Sequence, residues 1–444
     1  MTDPNQTPSS TPEYQIGYGS ALRSEARPGA LPTDQNAPKR APYGLFAEQI
    51  NGTGFTVERA HNLRVWLYRL RPAIHDRPFA RMTAGEAPPH FSGDFSEAVS
   101  TPEVQRYQPL ALASGGSTDW LDGVQTFAGA GDPRIRRGMA IHLFTADADM
   151  QRVFANIDGD LLLAPEHGRL HIRTELGRLE VGPGEVAILP RGIRFQITLP
   201  EGPVRGFASE LFDGHYLLPE RGLIGANGLA DERHFEAPVA EYEDVAEDTV
   251  IVVKQGGVFW QTTAPNSPFD VVAWHGSYAP FKYDLRKFMS YGSVSWDHPD
   301  PSVLTVLTCP MDGNTRGSGR NAVDVGVFMP RWDPTEHTFR PPYFHRNSAI
   351  EFNAVIQTPR TKGAYPSGAF SFTPYLTPHG VSHVGHAAGV EAPDEPRKTS
   401  TGDIWLQFES TYSLGVLPRW LGSERRDGEF LQNFTGYAEG ELTS

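Results

Sequence analysis

Hydrophobic and polar positions alternate with period two over much of this chain, and the alternating runs are short. Between Gly52 and Leu70 the stretch WLYRLR sets aromatic and aliphatic side chains on every second residue, as a half-buried strand does. From Arg137 the signal becomes dense: GMAIHLF, RVFANI, DLLLAP, RLHIRTE, GRLEVGPGEVAILP and IRFQITL follow one another, each bounded by Gly, Pro or Asp. A second strand-rich run is expected from near Val294 to about Leu417. Short strands punctuated in this way predict a mainly β fold built as a sandwich or barrel. Helical periodicity is scarce, and EVQRYQ and YDLRKFM are the best short candidates. Residues 1–40, rich in Pro, Ser, Thr and Gly, read as an arm, and residues 76–135 as irregular.

Composition sharpens this picture. The 444 residues include 45 glycines and 38 prolines, which favours strands joined by tight turns over a helical architecture. A single cysteine, Cys309, rules out an intrachain disulfide and fits a reducing compartment; its place at the end of VLTVLTC predicts a buried packing residue. The net charge of −14 argues against a nucleic-acid surface. MTDPNQTPSSTPEYQ lacks the basic lead and apolar core of a secretory signal, and no apolar run is long enough to span a bilayer. The expectation is a cytoplasmic protein without nucleic-acid or membrane partners.

Two turns organise the first dense run. Gly182-Pro183-Gly184-Glu185 predicts a tight reversal, and Pro190-Arg191-Gly192 another just before a strand. This is the turn pattern of a cupin, the small jelly-roll barrel. A metal-binding cupin places histidine three residues after the second glycine, where this chain has Phe195. His167 and His171 are four apart and make no HxH pair. Residues 137–200 therefore read as a cupin without a metal, and the two histidines as surface residues. The chain divides into the arm, an N-terminal β-domain over 41–288 that contains this barrel, and a C-terminal cupin domain over 289–444.

In PPYFHRNSAIEFNAVI, His345 and Glu351 are six residues apart. On one strand that spacing puts both on one face, with Asn347 and Asn353, while Ile350 and Phe352 face the other way. A polar stripe inside a barrel is costly unless it binds something. His379, in TPHG, offers a second imidazole. Two imidazoles and one carboxylate leave one face of an octahedron open, which suits iron(II) with a chelating substrate and O₂. A hydrogen-bonded structural pair is the plainer alternative.

YGLFAEQINGTGFT (43–56), RVWLYRLRP (64–72), DGDLLLAPEHGRLHIRTELGRLEVGPGEVAILPRG (158–192), WDHPDPSVLTVLT (296–308) and FRPPYFHRN followed by EF (339–352) resemble homogentisate 1,2-dioxygenase from about residue 14 to 420. The resemblance implies an N-terminal β-domain on a C-terminal cupin, trimers pairing into hexamers, and ring cleavage of homogentisate to maleylacetoacetate in tyrosine and phenylalanine breakdown. It makes His345, Glu351 and His379 the ligands of Fe(II) and His298, in WDHPDPS, the proton acceptor. Departures lie between Glu351 and His379. Arg360 and Tyr365 flank the place of a substrate-contacting tyrosine, in a loop about two residues shorter than usual. Thr373 stands where the family has a histidine. These three, with His379, are the candidate substrate contacts.

After His379 comes GVSHVGHAAGV. His379, His383 and His386 could share a helix face as a second metal cluster, but the glycines predict a histidine-bearing loop over the site mouth. The altered loop keeps other readings open. One is a dioxygenase for another substituted hydroquinone, such as a gentisate-like ring. Others are a non-catalytic cupin that binds a small ligand, and a zinc or manganese isomerase or hydrolase.

Overall fold

The computed structural model describes residues 12–19, 21–74, 77–290, 300–311, 320–360 and 365–440. Its 28 strands and three short α-helices among those residues make it mainly β, as the alternation predicts. Nine strands form the largest sheet, in the order Tyr14–Ile16, Phe235–Pro238, Phe281–Asp284, Glu185–Leu189, Asp160–His167, Val204–Leu211, Arg137–Ala146, Val124–Asp132 and Gly415–Val416. Seven more, from Gly177–Val181 through Thr249–Gln255 to Ala80–Arg81, face it. Phe144, Leu161, Leu163 and Ala208 of the first sheet meet Phe154, Ile172, Phe195 and Val252 of the second in one buried cluster. Phe195, at the position where a metal ligand would stand, packs edge-on against Trp120 and Phe154. Aromatic rings thus fill this barrel, and His167 is exposed while His171 pairs with Glu180 and Glu201 at the surface.

Both expected turns form. Glu185 N–H donates to the Gly182 carbonyl, and Glu185 Oε2 accepts from Gly182 N–H. Ile193 N–H closes the second turn on the Pro190 carbonyl. Several local readings are corrected. EVQRYQ is no helix: Gln105–Tyr107 is a strand, because it pairs with Phe370–Phe372 and tertiary pairing overrides weak propensity. YDLRKFM gives the end of a strand and then a single 3₁₀ turn, Leu285–Lys287, whose N-cap Asp284 accepts from Arg286 N–H. Within the stretch read as irregular, Val124–Asp132 is a nine-residue strand. Its Gly129 disguised it, and that glycine is needed because the Phe95 ring occupies the space a Cβ would take. Among described residues the second strand run begins at Thr305; Val294 lies outside them.

The six-stranded sheet runs Thr305–Pro310, Asn321–Phe328, Ile404–Ser410, Ile350–Gln357, Phe370–Thr373 and Gln105–Tyr107. Its alternation divides two environments. Phe352, Phe370 and Phe372 turn to Phe127 of the nine-stranded sheet, with ring centroids 5.1–5.6 Å apart. Cross-strand registers place Arg106, Ser371, Asn353 and Gln407 together on the opposite, polar face, with Thr373, Glu351, Glu409 and Asp324 in the next row. The sheets also trade edges. Gln105–Tyr107 completes the six-stranded sheet, and Gly415–Val416 pairs with Ala128 and Gly129 at the rim of the nine-stranded one.

Charge is also buried inside the first barrel. Lys254 is fully buried, with its Nζ 2.6 Å from Glu210 Oε1 and 3.1 Å from Asp158 Oδ2, and Phe91 and Phe212 present their ring faces to it. Asn156 Nδ2 also donates to Glu210 Oε1, at 2.7 Å. Burial alone would raise the Glu210 carboxyl, but the Lys254 ammonium and His142 more than offset it and hold it at about 2. Burial pushes His142 down, against the pull of Glu210.

Candidate metal centre

His345 does not lie on the strand that carries Glu351. That strand begins at Ile350, so the expected shared face from His345 onward is replaced by a loop, and Glu351 and Asn353 alone keep the alternation. What fixes His345 is an isolated bridge to His379, in which each backbone N–H donates to the other's carbonyl at 3.0 and 3.1 Å. The two imidazoles are thereby neighbours, with ring centroids 4.1 Å apart.

Each ring is oriented from behind. His345 Nδ1 lies 2.5 Å from the Tyr343 carbonyl and His379 Nδ1 lies 2.9 Å from the Thr377 carbonyl. A carbonyl only accepts, so Nδ1 donates on both rings and Nε2 turns inward, where it donates to Glu351 when protonated and offers its lone pair to an ion once that proton is gone. Both Nε2 atoms face Glu351 Oε1, at 3.7 Å from His345 and 3.2 Å from His379. Ligand atoms of the three residues lie within 4.8 Å of one another, the one such grouping among the described residues. Asn347 donates to Glu351 Oε1 and Asn353 to Oε2, which steadies the carboxylate. Burial alone would raise Glu351, but contacts with His345 and His379 outweigh it and hold it well below the usual carboxylate range. Carbonyl-anchored imidazoles and an amide-anchored carboxylate are the supports that metal ligands use.

The other expected residues fall in different places. Thr373 is buried and is the cross-strand partner of Glu351. Tyr365 packs on Trp405 and under Arg106, one register step along the polar face, where Arg106 pairs with Ser371 and Ser371 with Asn353. Arg360 is not brought to the triad: it lies beyond the far end of the strand and pairs with Asp403 at 3.0 Å. His298 lies outside the described residues. Cys309 is buried, and burial pushes its thiol up to about 12, as a packing residue requires. Glu409 had no part in the sequence reading, although Gln407 and Glu409 alternate with Leu406 and Phe408. It faces Glu351 on one side and Asp324 on the other. Burial and those two carboxylates push it up to about 7.

The expected loop after His379 is a helix, His383–Glu391. Its Ser382 N-cap accepts from Gly385 N–H, and its glycines are contact points: Phe339 and Pro341 press against Gly389 where a Cβ would sit. Capping and packing thus outweigh the cost of about 1 kcal/mol per helical glycine. His383 and His386 turn to Asn433, Phe344 and Tyr437, so no second cluster forms with His379. Replacing Ser382 by alanine is expected to cost about 1 kcal/mol locally, read as roughly five-fold faster hydrogen exchange at the first helical amides. Unchanged exchange there would remove the cap's role.

Comparison with known families decides what this arrangement belongs to. The N-terminal model of homogentisate 1,2-dioxygenase matches residues 13–285, and its C-terminal model matches residues 286–440. The chain belongs to the homogentisate 1,2-dioxygenase family. Members of this family are iron-dependent, ring-cleaving dioxygenases, so the chain is an oxidoreductase acting on a small aromatic substrate with O₂. Among solved structures it is similar to a cupin 2 conserved barrel domain protein from Leptotrichia buccalis, at 9% identity over 69% of this chain and 96% of the other, with a TM-score of 0.30. It is also similar to a variant of oxalate decarboxylase from Bacillus subtilis, at 12% identity over 75% and 84%, with a TM-score of 0.28. A bacterial pirin from Escherichia coli in complex with nickel(II) is similar at 8% identity over 69% and 99%, with a TM-score of 0.27. Among the described residues of this dioxygenase-family chain, no helix is long and apolar enough to cross a membrane.

Proposed function

We propose that the chain is a homogentisate 1,2-dioxygenase that binds Fe(II) through His345, Glu351 and His379 and opens the ring to maleylacetoacetate. The observation that carries this reading is the convergence of two inward-facing Nε2 atoms and one carboxylate within 4.8 Å. The donor set fits iron(II), which takes two imidazoles and a carboxylate on one face and leaves the other open. When bound, the iron supplies Lewis acidity and one-electron chemistry toward O₂, whose two atoms both enter the product.

The side chains of this chain bind, orient and move protons. The Tyr343 and Thr377 carbonyls keep both imidazoles in the ligating tautomer, and Asn347 and Asn353 keep the carboxylate turned toward them. His298 is the proton acceptor by family resemblance, taking the phenolic proton, whose loss makes the ring electron-rich. Thr373 and Tyr365 lie on the polar face that extends from Glu351 and are the substrate contacts that fit, whereas Arg360 bears on loop structure through Asp403. The single buried cysteine suits a cytoplasmic setting, and trimers or paired trimers are the proposed assembly.

A second reading, ring cleavage of a different substituted hydroquinone, is favoured by Thr373 and the changed loop. One experiment separates them. Anaerobically iron-loaded protein is offered homogentisate, gentisate or unsubstituted hydroquinone, and O₂ consumption is followed. Rapid uptake with homogentisate alone is the expected result. Uptake with another ring alone would move the substrate, and none with any ring, despite bound iron, would refute the proposed activity.

A further inference from the structure

The helix after His379 and the end of the chain meet on the outer side of the two ligand histidines. Phe344, the residue before His345, lies against Gly380, the residue after His379, in space that a Cβ on Gly380 would occupy. The Phe344 ring stacks on His386, with centroids 5.7 Å apart, and receives the edge of Tyr437 at 5.5 Å. Tyr437 also meets His383 and His386 edge-on, and its hydroxyl donates to the Val381 carbonyl at 2.6 Å. His383 Nδ1 closes the arrangement on the Asn433 carbonyl at 3.1 Å. A single tyrosine therefore touches both histidine-bearing loops, through Phe344 on one and Val381 on the other.

We propose that the C-terminal segment around Tyr437 is a clasp that holds these loops together, making Tyr437 a positioning residue for His345 and His379. This rests on the metal reading of that pair. The backbone bridge between the two histidines is only two hydrogen bonds, and each Nε2 must point within a narrow cone to share one ion. A ring contact on one loop and a hydroxyl bond on the other, made at once by one side chain, narrow that cone. His383 and His386 serve the clasp as aromatic rings, which accounts for a histidine-rich motif that the metal leaves unused.

The test is metal release to a chelator from the full-length, metal-loaded protein, followed with Fe(II) and with Co(II), whose visible spectrum reports ligand geometry. Tyr437→Ala is expected to release metal about ten-fold faster, the lower end of what a lost ligand support costs, with a changed Co(II) spectrum. His386→Phe keeps its ring and is expected to stay close to the parent, Tyr437→Phe, which keeps the ring but loses the bond to Val381, to fall between the parent and Tyr437→Ala, and His386→Ala to follow Tyr437→Ala. Leu431→Ala, an exposed change in the same segment, controls for general disturbance of the chain end. Hydrogen exchange of metal-free protein at residues 343–347 and 377–382 gives a readout without metal, expected to quicken in Tyr437→Ala and to stay parent-like in Leu431→Ala. Parent-like release and parent-like exchange in Tyr437→Ala would overturn the clasp. If the parent retained no metal, the metal reading would fall, and the exchange comparison would still decide the clasp.

Discussion

Glu351→Ala is expected to yield a folded protein that carries no iron through desalting and consumes no O₂ with homogentisate. Among the described residues Glu351 is the one anion paired with both Nε2 atoms, so its loss removes a ligand and the charge that offsets the ion. Removing even an outer support of a metal ligand lowers affinity about 10–100-fold, and removing the ligand itself must exceed that. The fold is expected to survive because Glu351 also burdens it. Its carboxylate is one of the charges that push Glu409 up to about 7, and truncating it to a methyl group would relieve that repulsion. Iron per chain by colorimetric assay, beside a thermal melt, checks both halves. An iron-replete, active alanine variant would refute the ligand assignment.

Lys254→Met carries the largest expected effect on stability. It strands Glu210 and Asp158 in the barrel interior with no ammonium, and breaking a buried pair from one side costs about 3–5 kcal/mol. The pH dependence should change as well. In the parent, Glu210 is held at about 2, below its ordinary value of 4.5. Its contribution is therefore fully present above 4.5 and is lost as pH falls toward 2. Without Lys254 the largest charge holding Glu210 down is gone and burial counts for more, so the variant gains on acidification from pH 7 to pH 5, a range over which the parent's Glu210 contribution is constant. Urea unfolding at pH 7 and pH 5 should show a larger deficit at pH 7. Equal deficits would mean that Lys254 contributes by packing alone.

Local chemistry made some features readable from the chain and hid others. Gly-Pro-Gly-Glu and Pro-Arg-Gly permit few backbone paths, so both turns of the first barrel were legible. The donor residues were legible too, since a polar Glu351 and Asn353 between Ile350 and Phe352 stand out against an apolar strand. The route that brings His345 to Glu351 was not. Even spacing suggested one continuous strand, whereas backbone bonds to His379, 34 residues away in sequence (379 − 345), set the position. The strand Gln105–Tyr107 and the helix His383–Glu391 were misread for a related reason: their partners, Phe370–Phe372 and Phe339 with Pro341, are remote. Glu409 escaped notice because a lone acid in a strand gains meaning only when its register brings it opposite Asp324 and Glu351.

The exchanged edge strands bear on how this chain is made. The rim of the nine-stranded sheet is finished by Gly415 and Val416, and the six-stranded sheet by Gln105–Tyr107, synthesised long before the strands it joins. On the ribosome, the first barrel therefore emerges with Ala128 and Gly129 still lacking their partner, while Gln105–Tyr107 waits for Phe370–Phe372. Exposed edges of this kind invite pairing with other chains. Until Gly415 and Val416 are made, the rim at Ala128 and Gly129 offers such an edge, so the order of synthesis leaves the first barrel to be finished by residues made 287 positions later (415 − 128).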